Sequence, residues 1–210
     1  MAKKLRIGLI ARADNSGLGT LSWEYYRHFP ITKVVIVKKS YRIFPERFDN
    51  PPVVTELTDE FLDKFLRDID LLLTLETPYN WNAYNIARKR GIKTVLKVNY
   101  EWLPIRLPSS PDLFLCSSSL NWEAVPWDNK VLIPDPINRE VLPFKLRKRA
   151  RVFLHNAGHG GYMGACGTQE FLQAIPLVKS NVKFIINSQV PLPHLKDPRA
   201  DCLLYTSPSP

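Results

Sequence analysis

Several common architectures are excluded by what this chain lacks. It has three cysteines, Cys116, Cys166 and Cys202, with no close spacing between them, so neither a zinc ribbon nor a disulfide framework is supported. No apolar run approaches the roughly 20 residues of a membrane-spanning helix. The first residues, Met1 to Arg6, lead straight into a strand pattern without the apolar core of a signal peptide, so a cytoplasmic location is the default expectation. Glycine is sparse, at nine residues, which makes its clustering in two places informative.

Hydrophobic content of 45% and charged content of 23% are those of a globular chain. The net charge is +9, and five of the seven residues from Lys145 to Arg151 are basic. That run reads either as a phosphate or nucleic-acid contact or as a solvated linker before a strand. No aromatic side chains interleave with it, so nucleic acid is not an expected partner.

The two glycine clusters share a context. Arg6–Ala11 is an apolar strand, followed by Arg12–Thr20 with Gly17 and Gly19, then a Trp/Tyr-rich helix. Arg151–Leu154 is a second strand, followed by His155–Thr168, where eight residues between Ala157 and Gly167 are Gly, Ala or Cys, and then an amphipathic helix. A strand feeding a glycine loop feeding a helix start is suited to anions. Helix N-termini carry unpaired N–H groups and partial positive charge, and glycine admits a phosphate close to the backbone.

Between the clusters, strands are predicted at 33–37, 71–75, 93–98, 112–116 and 130–133. Helices are predicted at 20–29, 58–69, 80–90 and near 120–124. Helix 58–69 opens with Thr58 and two acids, and helix 80–90 is stopped by Gly91. This alternation predicts an α/β fold with a doubly wound, mostly parallel sheet. Ligands of such sheets lie beyond the carboxyl ends of the strands. Gly17–Thr20, Glu76–Tyr79, Asn99–Trp102 and Ser117–Ser119 all fall there. Residues 168–178 and 182–186 continue a second α/β unit after Arg151.

Several specific chemistries are disfavoured. No Lys follows the first glycines, so they are not a phosphate-binding Walker loop, and the Gly8, Gly17, Gly19 spacing with Lys38 after the second strand does not suit a dinucleotide. His155 and His159 lack an intervening Glu and a helical setting, so no metal site is expected. Each of them either bonds a phosphate or sugar hydroxyl or is satisfied by backbone. Ser117–Ser119 lacks the flanking glycines of a nucleophile elbow. Glu76 and Glu101 stand at strand ends and are the candidates for a base or a hydroxyl-orienting group, against the alternative of ordinary loop carboxylates. Trp23, Tyr25 and Tyr26 read as packing residues rather than a sugar platform.

Five stretches in order resemble the GT-B-fold glycosyltransferases, of the group 1/family 4 type related to glycogen synthase and sucrose synthase. They are Ile7–Gly19, Phe114–Glu123, Val131–Phe144, Val152–Gly158 and Gly167–Ala174. The resemblance implies two Rossmann-like domains and transfer of a sugar from a nucleotide-sugar to a glycan, lipid or protein acceptor, with retention as the family-level stereochemistry. It implies no cofactor and no metal, the nucleotide-sugar being a substrate. Membrane association is compatible with such acceptors but has no support in the sequence. The implied layout is an acceptor-side domain at 1–134, a linker at 135–150, an incomplete donor domain at 151–201 and a non-native tail at 202–210. That tail resembles translated adapter readthrough. The donor would be bound by Gly17, Leu18 and Gly19 and by His159, Gly160, Gly161, Gly167 and Thr168. Two departures stand out. Ala165 and Cys166 occupy the region where the family places Arg and Lys, and the later paired-glutamate element is not reached. A chain lacking both is expected to be inactive alone. The alternative is a non-catalytic, two-lobed ligand-binding module.

Overall fold

The computed structural model describes residues 5–40, 42–136, 146, 148–158, 161–163, 166–188, 190–192 and 197–204. The chain divides into two compact units, Met1–Arg139 and Glu140–Pro210.

The first unit is built on seven parallel strands: β1 (Ile7–Ala11), β2 (Ile31–Val37), β3 (Val53–Val54), β4 (Leu71–Leu75), β5 (Lys93–Lys97), β6 (Leu113–Cys116) and β7 (Lys130–Leu132). Their order across the sheet is β3-β2-β1-β4-β5-β6-β7. The strands are β-branched or leucine runs. In β1, all five residues are buried, as a central strand covered on both faces requires.

The helices are α1 (Gly17–His28), α2 (Asp59–Phe65), α3 (Asn82–Lys89) and α4 (Ser119–Ala124). Period-two alternation divides the sheet into two cores. Ile10, Val35, Leu72 and Leu96 join Leu62, Phe65 and Tyr84 of α2 and α3 in one cluster. Leu9, Ala11, Ile36 and Leu73 join Tyr25 of α1 and Phe48 in the other. The doubly wound α/β architecture is thus present, with apolar layers on both faces.

Local signals set the helix ends. The Thr58 side chain accepts from the Phe61 N–H to cap α2, and Gly91, with φ 69°, follows α3 in the left-handed conformation that a non-glycine residue resists. At the opposite edge from the strand carboxyl ends, Arg6 braces the starts of β1 and β4. Its Nε and Nη2 donate to the two oxygens of Asp70 at 3.1 and 3.0 Å.

The second unit holds three parallel strands, β8 (Val152–Gly158), β9 (Lys183–Ser188) and β10 (Ala200–Leu204), in the order β10-β9-β8. Helix α5 (Thr168–Ala174) packs on it, and Ala157, Ile175, Phe184 and Ile186 form its core. Pro176 stands in the short 3-10 turn into which α5 runs, so the predicted helix 168–178 is shorter than expected. Cys202, Leu203 and Leu204, placed in a non-native tail by the sequence reading, pair with Ile186, Asn187 and Ser188. Residues 205–210 lie outside the described set.

Candidate functional site

The strand order reverses between β1 and β4, so their carboxyl ends open onto a switch point where a doubly wound sheet presents a crevice. The segments leaving these two strands supply a dense polar cluster.

Beyond β1, Asp14 is buried and heavily bonded. It accepts from Arg12 Nε at 2.8 Å, from the Ser16 N–H at 3.1 Å and from Ser40 Oγ at 2.5 Å, and it also meets Arg12 Nη2 and Ser16 Oγ. Burial works against the Asp14 charge, but the bonds from Ser16, Ser40 and Arg12 outweigh it and hold the carboxyl below its ordinary range. Arg12 Nη2 also donates to Ser40 Oγ at 2.8 Å, so both charges are locked into one loop brace.

The glycines expected in a loop stand in the first turn of α1. The Ser16 side chain caps that helix by accepting from the Gly19 N–H at 3.1 Å. Ser16 adopts extended backbone, which places its hydroxyl over the turn. The two glycines differ in kind. A Cβ on Gly19 would fall 1.9 Å from the Asp14 carbonyl oxygen, whereas a Cβ on Gly17 would meet nothing within 4 Å. Gly19 is a packing residue, and Gly17 is an open one. The Gly17 and Leu18 N–H groups have no acceptor within the helix, and the first turn carries no acidic residue.

Beyond β4, the chain turns through Glu76 and Tyr79, both non-glycine residues in the left-handed region, at φ 62° and 59°. Such residues persist where surrounding structure enforces them, and they cluster at functional sites. The Glu76 N–H donates to the Lys97 carbonyl at 2.8 Å, which continues the ladder by one bond past the last paired residues, Leu75 and Lys97. The Glu76 side chain is half-buried, and that burial pushes its carboxyl up, against Lys97, Asn99 and Arg12, which pull it down. Burial likewise pushes the Tyr79 phenol up.

Two further residues complete the cluster. Lys97 ends β5 with its side chain only 7% exposed, and its Nζ lies 3.3 Å from Asp135 Oδ2. The other Asp135 oxygen accepts from the Tyr25 hydroxyl of α1 at 3.0 Å. Sequence reasoning missed Arg12, Asp14, Ser40, Lys97 and Asp135 as site residues. A signal existed for Lys97, a charged residue among Val95, Leu96 and Val98. None existed for Ser40, which only the β1–β2 pairing brings near Asp14.

Glu101 stands apart. It is exposed in a 3-10 turn at Tyr100–Trp102, its N–H donates to Asn99 Oδ1 at 3.2 Å, and the Tyr100 hydroxyl lies 3.4 Å from its carboxylate. Ser118 caps α4 by accepting from the Asn121 N–H at 3.2 Å, and Ser117 Oγ accepts from the Asn121 side chain at 3.1 Å, so both hydroxyls have structural duties.

In the second unit, Gly158, Gly161 and Gly167 take left-handed backbone at φ 59°, 53° and 68°. A Cβ at Gly161 would also lie 2.2 Å from Val190 Cγ2. Thr168 is fully buried, and its hydroxyl lies 3.0 Å from His155 Nε2. The His155 ring stacks on Phe171 with centroids 4.5 Å apart, and burial lowers its pKa. His155 thus ties β8 to α5. His159, Gly160 and Ala165 lie outside the described residues, and Cys166 is exposed. Among the described residues, no group of His, Cys, Asp and Glu is arranged to hold a metal, and no helix is long and apolar enough to cross a membrane.

These features define a Rossmann-like α/β protein with its polar cluster at the sheet's switch point. Comparison with family models and with curated proteins returns no sequence match. Solved structures do share the fold. Acinetobacter baumannii MurG matches with a TM-score of 0.53 at 12% identity, over 95% of this chain and 65% of its own. UDP-N-acetylglucosamine 2-epimerase from Rickettsia bellii matches with a TM-score of 0.50 at 12% identity, over 95% of this chain and 68% of its own. The chain therefore spans about two thirds of the length of these neighbours, and the GT-B-type fold inferred from the sequence is the one it shares with them.

Proposed function

We propose that this chain contributes to transfer of a sugar from a nucleotide-sugar donor to an acceptor hydroxyl on a glycan, lipid or protein. The observation that carries the reading is that an open helix N-terminus and a half-buried carboxylate follow the adjacent strands β1 and β4 at the switch point. The first-turn N–H groups of Gly17 and Leu18 suit a diphosphate, and Glu76 suits a hydroxyl. Gly19 serves donor binding indirectly, by letting α1 approach Asp14. The resemblance also assigns donor binding to His159, Gly160, Gly161, Gly167 and Thr168. Thr168, with its hydroxyl engaged by His155, would act there through its backbone. The fold neighbours support the reading at the level of architecture, and one of them is named for a nucleotide-sugar.

A second reading, a ligand-binding module without turnover, is favoured by one specific observation. The Arg12 guanidinium is tied to Asp14 and Ser40, and a departing diphosphate needs charge stabilisation in the transition state. Calorimetric titration with UDP- and GDP-sugars tests both readings. Saturable binding that Gly17→Trp abolishes supports donor contact at α1, and sugar transfer to added acceptors then separates enzyme from module. No binding of either class refutes the transfer reading. Binding to nucleic acid that weakens steeply with salt would replace both.

A further inference from the structure

Four of the five tryptophans are accounted for by packing. Trp23 stacks on Tyr26, Trp81 meets Tyr84 edge to face, Trp127 stacks on Phe114, and Trp122 lies under the Lys130 ammonium, 4.5 Å from its ring centre. Trp102 differs. It is 67% exposed, and no aromatic ring or cation stacks on it among the described residues. An indole left in water forfeits the stabilisation that burial would bring.

The turn that carries Trp102 is nonetheless fixed. Asn99 holds it from one end, its side chain accepting from the Glu101 N–H at 3.2 Å and its carbonyl from the Trp102 N–H at 3.0 Å. Asn121 of α4 holds it from the side, accepting from the Tyr100 N–H at 3.0 Å. Asn121 is itself buried, and its amide donates to Ser117 Oγ at 3.1 Å, so a buried polar side chain is committed to this turn. Leu103 then packs against the core. Trp102 is therefore displayed by a pinned backbone. Two polar groups accompany it: the Tyr100 hydroxyl lies 3.4 Å from Glu101 Oε1, and both side chains are exposed. The turn leaves β5, which pairs with β4, so it stands at the same edge of the sheet as the turn of Glu76.

We infer that the turn Tyr100–Trp102 is a binding platform for a pyranose ring of a neutral glycan, with the Trp102 indole covering the sugar's C–H face and the Glu101 carboxylate accepting from a ring hydroxyl. That this glycan is the acceptor rests on the transfer reading, whereas the platform rests on the turn alone. The carboxylate beside the indole decides the occupant. Pressed into a bilayer, Glu101 would lose its hydration without a partner, and α4 alongside adds the exposed Glu123. Arg106, exposed on the loop that follows, offsets only one of these charges. Against a sugar, the same carboxylate gains a hydroxyl donor, and the apolar face of the ring shields the indole.

The test is NMR titration of the 210-residue chain with neutral tetraoses: maltotetraose, cellotetraose, chitotetraose and mannotetraose. The Trp102 indole N–H and the backbone amides of residues 99–103 report binding. At least one tetraose should move them saturably, and Trp102→Ala should weaken that binding about tenfold or more with the urea midpoint unchanged, the side chain being exposed. No saturable movement with any tetraose overturns the inference, as does binding that Trp102→Ala leaves intact. Movement with phosphatidylglycerol vesicles and none with tetraoses also overturns it, in favour of a lipid surface. If Trp102→Ala fails to fold, Glu101→Gln decides: weaker tetraose binding supports the inference, and unchanged binding overturns it. The transfer reading fails separately. Tetraose binding without nucleotide-sugar binding keeps the platform and removes the transfer, and nucleotide-sugar binding without tetraose binding does the reverse.

Discussion

Gly19 and Asp14 are in contact through backbone: a methyl group on Gly19 would sit 1.9 Å from the Asp14 carbonyl oxygen. No side-chain rotation relieves that clash, because the backbone fixes the Cβ position and the Asp14 carbonyl is main chain. Gly19→Ala should therefore displace the start of α1 and cost about 1–3 kcal/mol or more. Gly17→Ala, facing open space, should change stability by no more than about 0.5 kcal/mol. All five tryptophans lie in the first unit, so fluorescence-monitored urea unfolding reads this unit directly. Equal destabilisation by the two substitutions would contradict the assignment.

Ser16 caps α1 through Gly19 while its N–H and hydroxyl both meet Asp14. Ser16→Ala should cost about 1 kcal/mol, the usual value of a lost N-cap. Asp14→Ala should cost more, because it strands Arg12 and Ser40 together. The pair of urea midpoints checks the ranking.

Glu76 and Asp14 should leave opposite marks on the pH dependence of stability. Asp14 has its carboxyl held low in the fold, so its contribution is present above the unfolded value near about pH 4 and disappears as pH falls through the lower folded value. Glu76 is raised, so the folded state resists its ionisation, and the penalty is complete above the folded value. Glu76→Gln should thus stabilise the first unit at pH 7, with the gain vanishing below about pH 4. A gain that persists unchanged at acid pH would show that the charge is not its cause.

His155 is lowered by burial against Phe171 and Thr168, so the fold prefers the neutral ring. The second unit should hold its full stability above about pH 6.5 and lose part of it as pH falls through the lower folded value. Hydrogen exchange of the β8 and β9 amides between pH 7 and 5 measures this, after correction for intrinsic rates. His155→Phe should flatten the dependence. An identical slope in the variant would place the acid sensitivity elsewhere.

The sheet was legible because its strands are short apolar runs separated by recognisable caps, as at Thr58 and Gly91. The two-residue strand β3, between Pro51–Pro52 and Thr55, carries too little pattern to be read, and β10 lies in a proline-interrupted stretch. The start of α1 was misplaced because Gly17 and Gly19 were read as loop formers. Ser16 as cap and the close approach to Asp14 place both glycines inside the helix. Of the site, Glu76 was legible as a carboxylate at a strand end. Lys97 and Asp135 were not paired in advance, because their meeting depends on β5 and the segment after β7 lying near one another across the sheet. Glu101, chosen by the same strand-end rule as Glu76, turned outward because Asn99 capped a short turn instead of continuing the strand direction.

Strand β1 precedes β2 and β4 along the chain yet lies in the middle of the sheet, flanked by β2 on one side and β4 on the other. The nascent chain can pair β1 with β2 as soon as Ile31–Val37 emerges, but the other edge of β1 must wait for Leu71–Leu75. Through that interval, a fully apolar strand presents an open row of backbone donors and acceptors, the arrangement most prone to join a neighbouring chain. A pause while Leu71–Leu75 is still inside the ribosome should therefore lower soluble yield more than a pause after that strand has emerged.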